Sequence, residues 1–333
     1  MWGDSGFGRR SRVRGPQDLG IVRAMRISLM LSLLLIVLEA CAPALATPTP
    51  SAPTSVTPTQ VDPARLVVTA DDGFKLTMWR KAPAKPRRAV LLIHGRTWSG
   101  RPDFDLQVPG EARSFMDALV AQGYAAYALD LRGYGATPRD ATGFLTPERA
   151  AADVAAALRT IGDRPVLFGW SRGSMVAQLT SQRTPELVGA VILFGYPADP
   201  DRKQPEQPDA GAPARKPTTA EAAAEDFIAP GMISKRAIAA YVQAALAADP
   251  VRADWRREAE WNALAPEAVH VPVLLLQAEL DPLARSDAHA RLFTRLGTVD
   301  RQWVVIPKGD HAALLEDTAP RLIAAIRGFL ERP

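Results

Sequence analysis

The chain has a single cysteine, Cys41, among 333 residues. This excludes an intramolecular disulfide framework and any cysteine-rich zinc site. Histidine is scarce too: His94, His270, His289 and His311 are the full set, and none has the close spacing of a metal-binding pair such as HExxH. The body also lacks a basic field. The net charge is +4, but residues 1–24 hold five arginines against two aspartates, and Arg26 and Glu39 cancel, which leaves +1 for 41–333. Nothing in that balance attracts phosphate, so nucleic acid is not expected as a partner. Hydrophobic residues make up 47% and charged residues 23%. That mix excludes wholesale disorder, collagen and a polytopic membrane protein, and supplies a sizeable core.

The run 27–38 is apolar apart from two serines, but its twelve residues are too few for a bilayer, which needs about 20. With Arg26 before it, it has the form of a secretory signal peptide. It ends in Leu38-Glu39-Ala40-Cys41, which resembles a bacterial lipobox with the cysteine as lipidation site; Glu39 departs from that pattern. Ordinary cleavage after Ala46, in Ala44-Leu45-Ala46, is the competing expectation. The depth of the signal in the chain makes Met25 a candidate start. Residues 1–40 are thus read as a leader. Residues 41–64 are read as a tether, since 42–63 holds six prolines and five threonines with almost no apolar bulk. The expected location is an exported protein, lipid-anchored to a bacterial envelope membrane.

From residue 65 onward apolar runs alternate with helical patterns. Strands are expected at 65–69, 75–81, 89–94, 125–130, 165–170, 190–194, 273–277 and 302–306. Several, such as Ala-Val-Leu-Leu-Ile at 89–93, are continuously apolar, as in a parallel sheet covered on both faces. Helices are expected at 111–122, 146–161, 172–183, 286–296 and 320–330. This alternation predicts an α/β fold with a doubly wound sheet. Residues 198–270 interrupt it with a proline-rich stretch to Thr219 and two helical patterns, 220–248 and 255–264. They are read as a small helical cap over the carboxyl edge of the sheet.

The segment Gly169-Trp170-Ser171-Arg172-Gly173 is a G-x-S-x-G sequence between a strand and a helix. It presents Ser171 on a sharp turn, and the glycines let strand and helix approach closely. A serine hydroxyl needs a base held by an acid. Asp281, after the strand at 273–277, and His311, after the strand at 302–306, follow in the order expected of such a site. Glu279 is a rival acid; Asp281 is preferred because it lies farther into its loop, before Pro282. Asp310 adjoins His311 and is poorly placed to orient the same ring. His270 and His289 are worse bases, one starting a strand and the other on a helix. The backbone N–H groups of Arg96 and Arg172 are the expected oxyanion donors, with His94 as a structural residue orienting the loop of Arg96. Trp98 and Trp170, beside these loops, are candidate walls of an apolar acyl pocket or core residues.

Residues 65–331 resemble the α/β-hydrolase superfamily of serine hydrolases. The resemblance rests on His94-Gly95, Asp130-Leu-Arg-Gly-Tyr-Gly135, Gly169-x-Ser171-x-Gly173, Asp281 and His311, in that order. It implies a mostly parallel eight-stranded sheet, a Ser171–His311–Asp281 triad, and hydrolysis through an acyl-enzyme without cofactor or metal. Arg172 and the proline-rich insertion depart from the family pattern and leave the substrate open. Dehalogenase and epoxide hydrolase chemistry is disfavoured, because those relatives use aspartate where Ser171 stands. The first expectation is a carboxylic-ester hydrolase acting on a small-molecule ester. The second is a peptidase or amidase of the proline-iminopeptidase type. It would need a cap carboxylate for a substrate amine, from among Glu221, Glu225, Asp226, Glu258 and Glu260. The third is a non-catalytic tethered binding protein.

Overall fold

All eight expected strands form in a computed structural model of the chain, each within one residue of its expected ends. The structure describes residues 62–332 apart from 207, 209 and 210; the leader, Cys41 and nearly all of the tether lie outside the described residues. The strands are β1 (Ala64–Thr69), β2 (Lys75–Lys81), β3 (Arg88–Ile93), β4 (Tyr124–Asp130), β6 (Val166–Trp170), β7 (Ala190–Phe194), β9 (Val273–Ala278) and β10 (Arg301–Ile306). They build one sheet in the order β1-β2-β4-β3-β6-β7-β9-β10. Only β2 runs antiparallel to its neighbours. Two short strands, β5 (Phe144–Leu145) and β8 (Asp254–Trp255), pair with each other outside the sheet.

Side chains alternate across the sheet, as the pleat requires. Val90, Leu92, Phe168, Ile192 and Leu274 join the core on one face. Leu91, Ile93, Leu167, Val191 and Leu275 join the core on the other. Helices α2 (Phe115–Ala121) and α8 (Ala319–Leu330) cover the first face; α3 (Pro147–Ile161), α4 (Arg172–Arg183) and α7 (Ser286–Arg295) cover the second. In α3 the Thr146 hydroxyl accepts from the Arg149 N–H, Pro147 fills the first helical position, and Gly162 closes the helix at φ 77°.

Three expectations differ from the outcome. The helix expected at 111–122 begins at Phe115, because Ser114 caps it by accepting from the Asp117 N–H at 3.0 Å. A short α1 (Gly100–Phe104) precedes it and was not anticipated. The helix expected over 220–248 is two, α5 (Ala220–Ala224) and α6 (Lys235–Ala248), interrupted at Pro230-Gly231, where the glycine sits at φ 76°. The helix expected at 255–264 is instead β8 followed by a 3-10 segment, Glu258–Ala263, with Arg257 turned to φ 54° between them.

The chain passes from β3 to β4 on one side and later to β6 on the other, so the direction of winding reverses beside β3. In open α/β sheets the crevice at such a reversal, beyond the carboxyl ends, is where sites form. Register places Ile93 beside Gly169, Trp170 beside Phe194, and Ala278 beside Ile306. The loops after β3, β6, β9 and β10 therefore emerge along one rim.

Candidate active site

Ser171 stands between β6 and α4 at φ 54°, ψ −123°, a backbone conformation that costs roughly 1–3 kcal/mol outside glycine. Its N–H donates to the Phe194 carbonyl at 2.9 Å, and its carbonyl accepts from the Ser174 N–H at 2.9 Å and the Ser174 hydroxyl at 2.5 Å. The turn closes only because two side chains are missing. A methyl on Gly169 would run into the Gly173 carbonyl, and one on Gly173 into the carbonyl oxygens of Ile93 and His94. Gly95 lies against the serine itself; a Cβ there would stand 3.5 Å from the Ser171 Cβ.

His311 and Asp281 meet directly. The imidazole Nδ1 is 2.8 Å from an Asp281 carboxylate oxygen, both side chains being almost fully buried. The other Asp281 oxygen accepts from the N–H groups of Leu283 and Ala284. Glu279 is turned away and accepts from the Lys308 N–H at 2.8 Å. His311 is tied to the serine elbow through the neighbouring residue, since the Trp170 indole N–H donates to the His311 carbonyl at 2.8 Å. Among the described contacts the Ser171 hydroxyl makes no hydrogen bond to the ring. Gly195, at φ 57°, admits the pair to the end of β7: a Cβ there would lie 3.2 Å from the ring. Burial alone would weaken the hold of His311 on a proton. The hydrogen bond and charge of Asp281, with the charges of Asp226 and Asp310, reverse that effect and hold its pKa above the ordinary 6.5.

Arg96 and Arg172 flank the serine. Among the described residues neither backbone N–H has an acceptor, and that of Arg172 opens a twelve-residue helix, where the first N–H groups have none within the helix. His94 fixes the loop of Arg96. Its Nδ1 bonds to the Gly95 carbonyl at 3.0 Å and its Nε2 accepts from the Leu131 N–H at 3.1 Å, so the ring is neutral; complete burial pushes its pKa down to about 4. His289 is buried on α7 against the Tyr196 carbonyl, and His270 is exposed.

Trp98 and Trp170 are 3% and 2% exposed and belong to the core. Adjacency in sequence suggested a pocket wall; the direction of the β6 pleat sends Trp170 inward, where it holds the His311 loop instead. The Asp130 segment is likewise organisational: its carboxylate accepts from the Gly100 and Ala136 N–H groups and the Trp79 indole.

Two acids missed in the sequence join the site to the insertion. Asp310 accepts from the N–H groups of Ile228 and Ala229, and Asp249 accepts from those of Ser99 and Gly135. Their sequence separations of 82 and 150 residues leave no local signal. The half-buried cap carboxylate Asp226 interacts electrostatically with His311, and no cation pairs with it among the described residues. No group of three or more potential ligands is placed to hold a metal ion among the described residues.

A strained serine turn and an acid-held imidazole on the rim of a doubly wound sheet are the architecture of the α/β hydrolases. The profile of the alpha/beta hydrolase family matches residues 90–326, and the chain belongs to that family. Solved structures with the same fold include the thioesterase domain from the curacin biosynthetic pathway, at 17% identity and TM-score 0.59, covering 80% of this chain and all of that one. A thermophilic esterase from Thermogutta terrifontis is 20% identical at TM-score 0.56, over 80% of this chain and 98% of the other. An epoxide hydrolase from Vigna radiata is 18% identical at TM-score 0.58, over 81% and 99%. No curated protein sequence matches the chain.

Proposed function

We propose that the protein is a serine hydrolase of carboxylic esters. The observation that carries the reading is the His311–Asp281 hydrogen bond on the rim where Ser171 occupies its strained turn. In the proposed cycle His311 takes the hydroxyl proton as the Ser171 oxygen bonds to the ester carbonyl carbon. The Arg96 and Arg172 N–H groups receive the oxyanion. His311 returns the proton to the departing alcohol, leaving an acyl-serine. Water, deprotonated by His311, then attacks the acyl carbon, and the acid leaves as the proton returns to Ser171. Asp281 holds the ring and stabilises its charged form. The test is turnover of short p-nitrophenyl esters: Ser171→Ala should lower it by about 10⁴-fold or more, and undiminished turnover would defeat the reading.

A second reading, an amidase or peptidase, is favoured by one observation. Asp226 places an unpaired cap carboxylate where it acts electrostatically on His311, as a substrate amine would require. Aminoacyl-nitroanilides cleaved faster than esters would make this the main activity. The third alternative, a tethered binding protein, would be left standing if neither substrate class were turned over and a fluorophosphonate failed to label Ser171.

For the whole chain we propose export and lipid anchoring at Cys41 to a bacterial envelope membrane, with 41–64 as the tether. Cys41→Ser should release the protein from membranes; unchanged fractionation would refute the anchor.

A further inference from the structure

The two residues whose N–H groups flank Ser171 are both arginines, and their side chains converge. Arg172 Nη2 lies 3.2 Å from one oxygen of Glu258, and Arg96 Nη2 lies 3.7 Å from the other. A single carboxylate thus spans two guanidinium groups. Arg252 adds a third positive charge that acts on Arg96, and burial together with the nearby arginines lowers the pKa of Arg96.

The subsite is built rather than incidental. The Arg172 guanidinium is 4.9 Å from the centre of the Trp255 ring, and its side chain is 12% exposed. The Trp255 indole donates to the Tyr134 hydroxyl at 2.7 Å, and that hydroxyl donates to the Arg96 carbonyl. One chain of contacts therefore links the Arg172 guanidinium to the backbone of Arg96. Arg172 Nη1 is buried without an acceptor among the described residues. Arg96, by contrast, is half exposed, so the pair is accessible from one side.

We propose that Arg96 and Arg172 form a carboxylate-binding subsite that selects ester substrates bearing a negative charge a short spacer from the scissile carbonyl, with Glu258 filling it in the free protein. This rests on the ester-hydrolase reading and names its substrate class. A substrate carboxylate exchanges like for like with Glu258, and the forked guanidinium donors match it bidentately. The charges of Asp226 and Asp310 act on His311, so an anionic group is disfavoured beside the ring and favoured beside the arginines.

The test uses the full chain with two esters of equal acyl length, mono-p-nitrophenyl glutarate and p-nitrophenyl valerate. Wild type should favour the glutarate ester by about tenfold or more in kcat/KM, and molar salt should erode that preference, since Arg96 is half exposed. Arg96→Met and Arg172→Met should each reduce the preference ratio, whatever happens to absolute turnover. Arg172→Lys should keep part of it. Glu258→Gln should raise the ratio, whereas a merely structural bridge would predict equal losses on both esters. A wild-type ratio of one or less, or a ratio indifferent to salt and to both methionine variants, overturns the subsite. If neither ester is cleaved, the ester reading fails by itself. Calorimetric titration with glutarate then decides the subsite. Binding is expected to wild type and to Glu258→Gln and not to Arg172→Met; no binding to wild type refutes it.

Discussion

The rim of the sheet and the insertion beside it differ in how they are held. On the rim, backbone geometry decides: Ser171 is positioned by a strained turn, by register with β7, and by glycines at 169 and 173 whose space is already filled by carbonyl groups. In the insertion, an apolar face built from Ala223, Ile233, Ala237, Tyr241 and Ala245 joins the core, and long-range polar contacts tie it to the rim. Asp249 reaches Ser99, Asp310 reaches residues 228 and 229, Arg139 reaches Asp254, and Glu258 reaches the two arginines. The rim thus tolerates almost no change in its own chain.

That contrast can be broken in four ways. The largest effect should come from Asp281→Asn, which leaves the ring without its carboxylate partner and should lower ester turnover by about 10⁴-fold with the fold intact; full activity would transfer the acid role to Glu279. Gly173→Ala should come next. Its methyl meets two backbone carbonyls, so the elbow must shift, and a misplacement of about 1 Å costs roughly 10²-fold in turnover. Wild-type kinetics in that variant would show that the elbow is softer than its geometry implies.

Asp310→Ala should loosen the insertion and, by removing a charge that acts on His311, also lower the pKa of the ring. It strips the acceptor from two N–H groups and should lower unfolding stability by about 2 kcal/mol in a denaturant titration. No change would mean that the cap is held by other contacts. The smallest effect is on pH. The base must be neutral to act, so activity falls as pH drops through the raised pKa of His311. Asp226 contributes to that rise by favouring the protonated ring. Asp226→Asn should therefore move the acid limb of kcat/KM to lower pH, by less than about one unit; a shift to higher pH would contradict the placement of its charge.

The same division explains what could be read from the chain alone. The strands, the elbow and the order of Ser171, Asp281 and His311 were legible because each rests on local pattern: apolar runs bounded by turns, or glycines at fixed offsets. The cap was legible only as an interruption. A helical pattern runs on through 225–234, although α5 ends at Ala224 and the proline and left-handed glycine at 230–231 lie in the break before α6, and β8 is two residues long, too short for any period. Trp98 and Trp170 looked like pocket residues because sequence gives proximity to a loop but not the side of the pleat. Asp310 was set aside because it cannot orient the adjacent ring; its actual partners lie more than 80 residues upstream.

Asp310 grips residues 228 and 229 with one carboxylate oxygen and the Ala312 N–H with the other, and its own N–H reaches Glu316, whose pKa burial and the charge of Asp310 push up to about 8. His311 thus sits between two anchor points of a single strut. The peptide units on either side of the His311 ring are thereby tied, through one carboxylate, to residues more than 80 positions away in the chain.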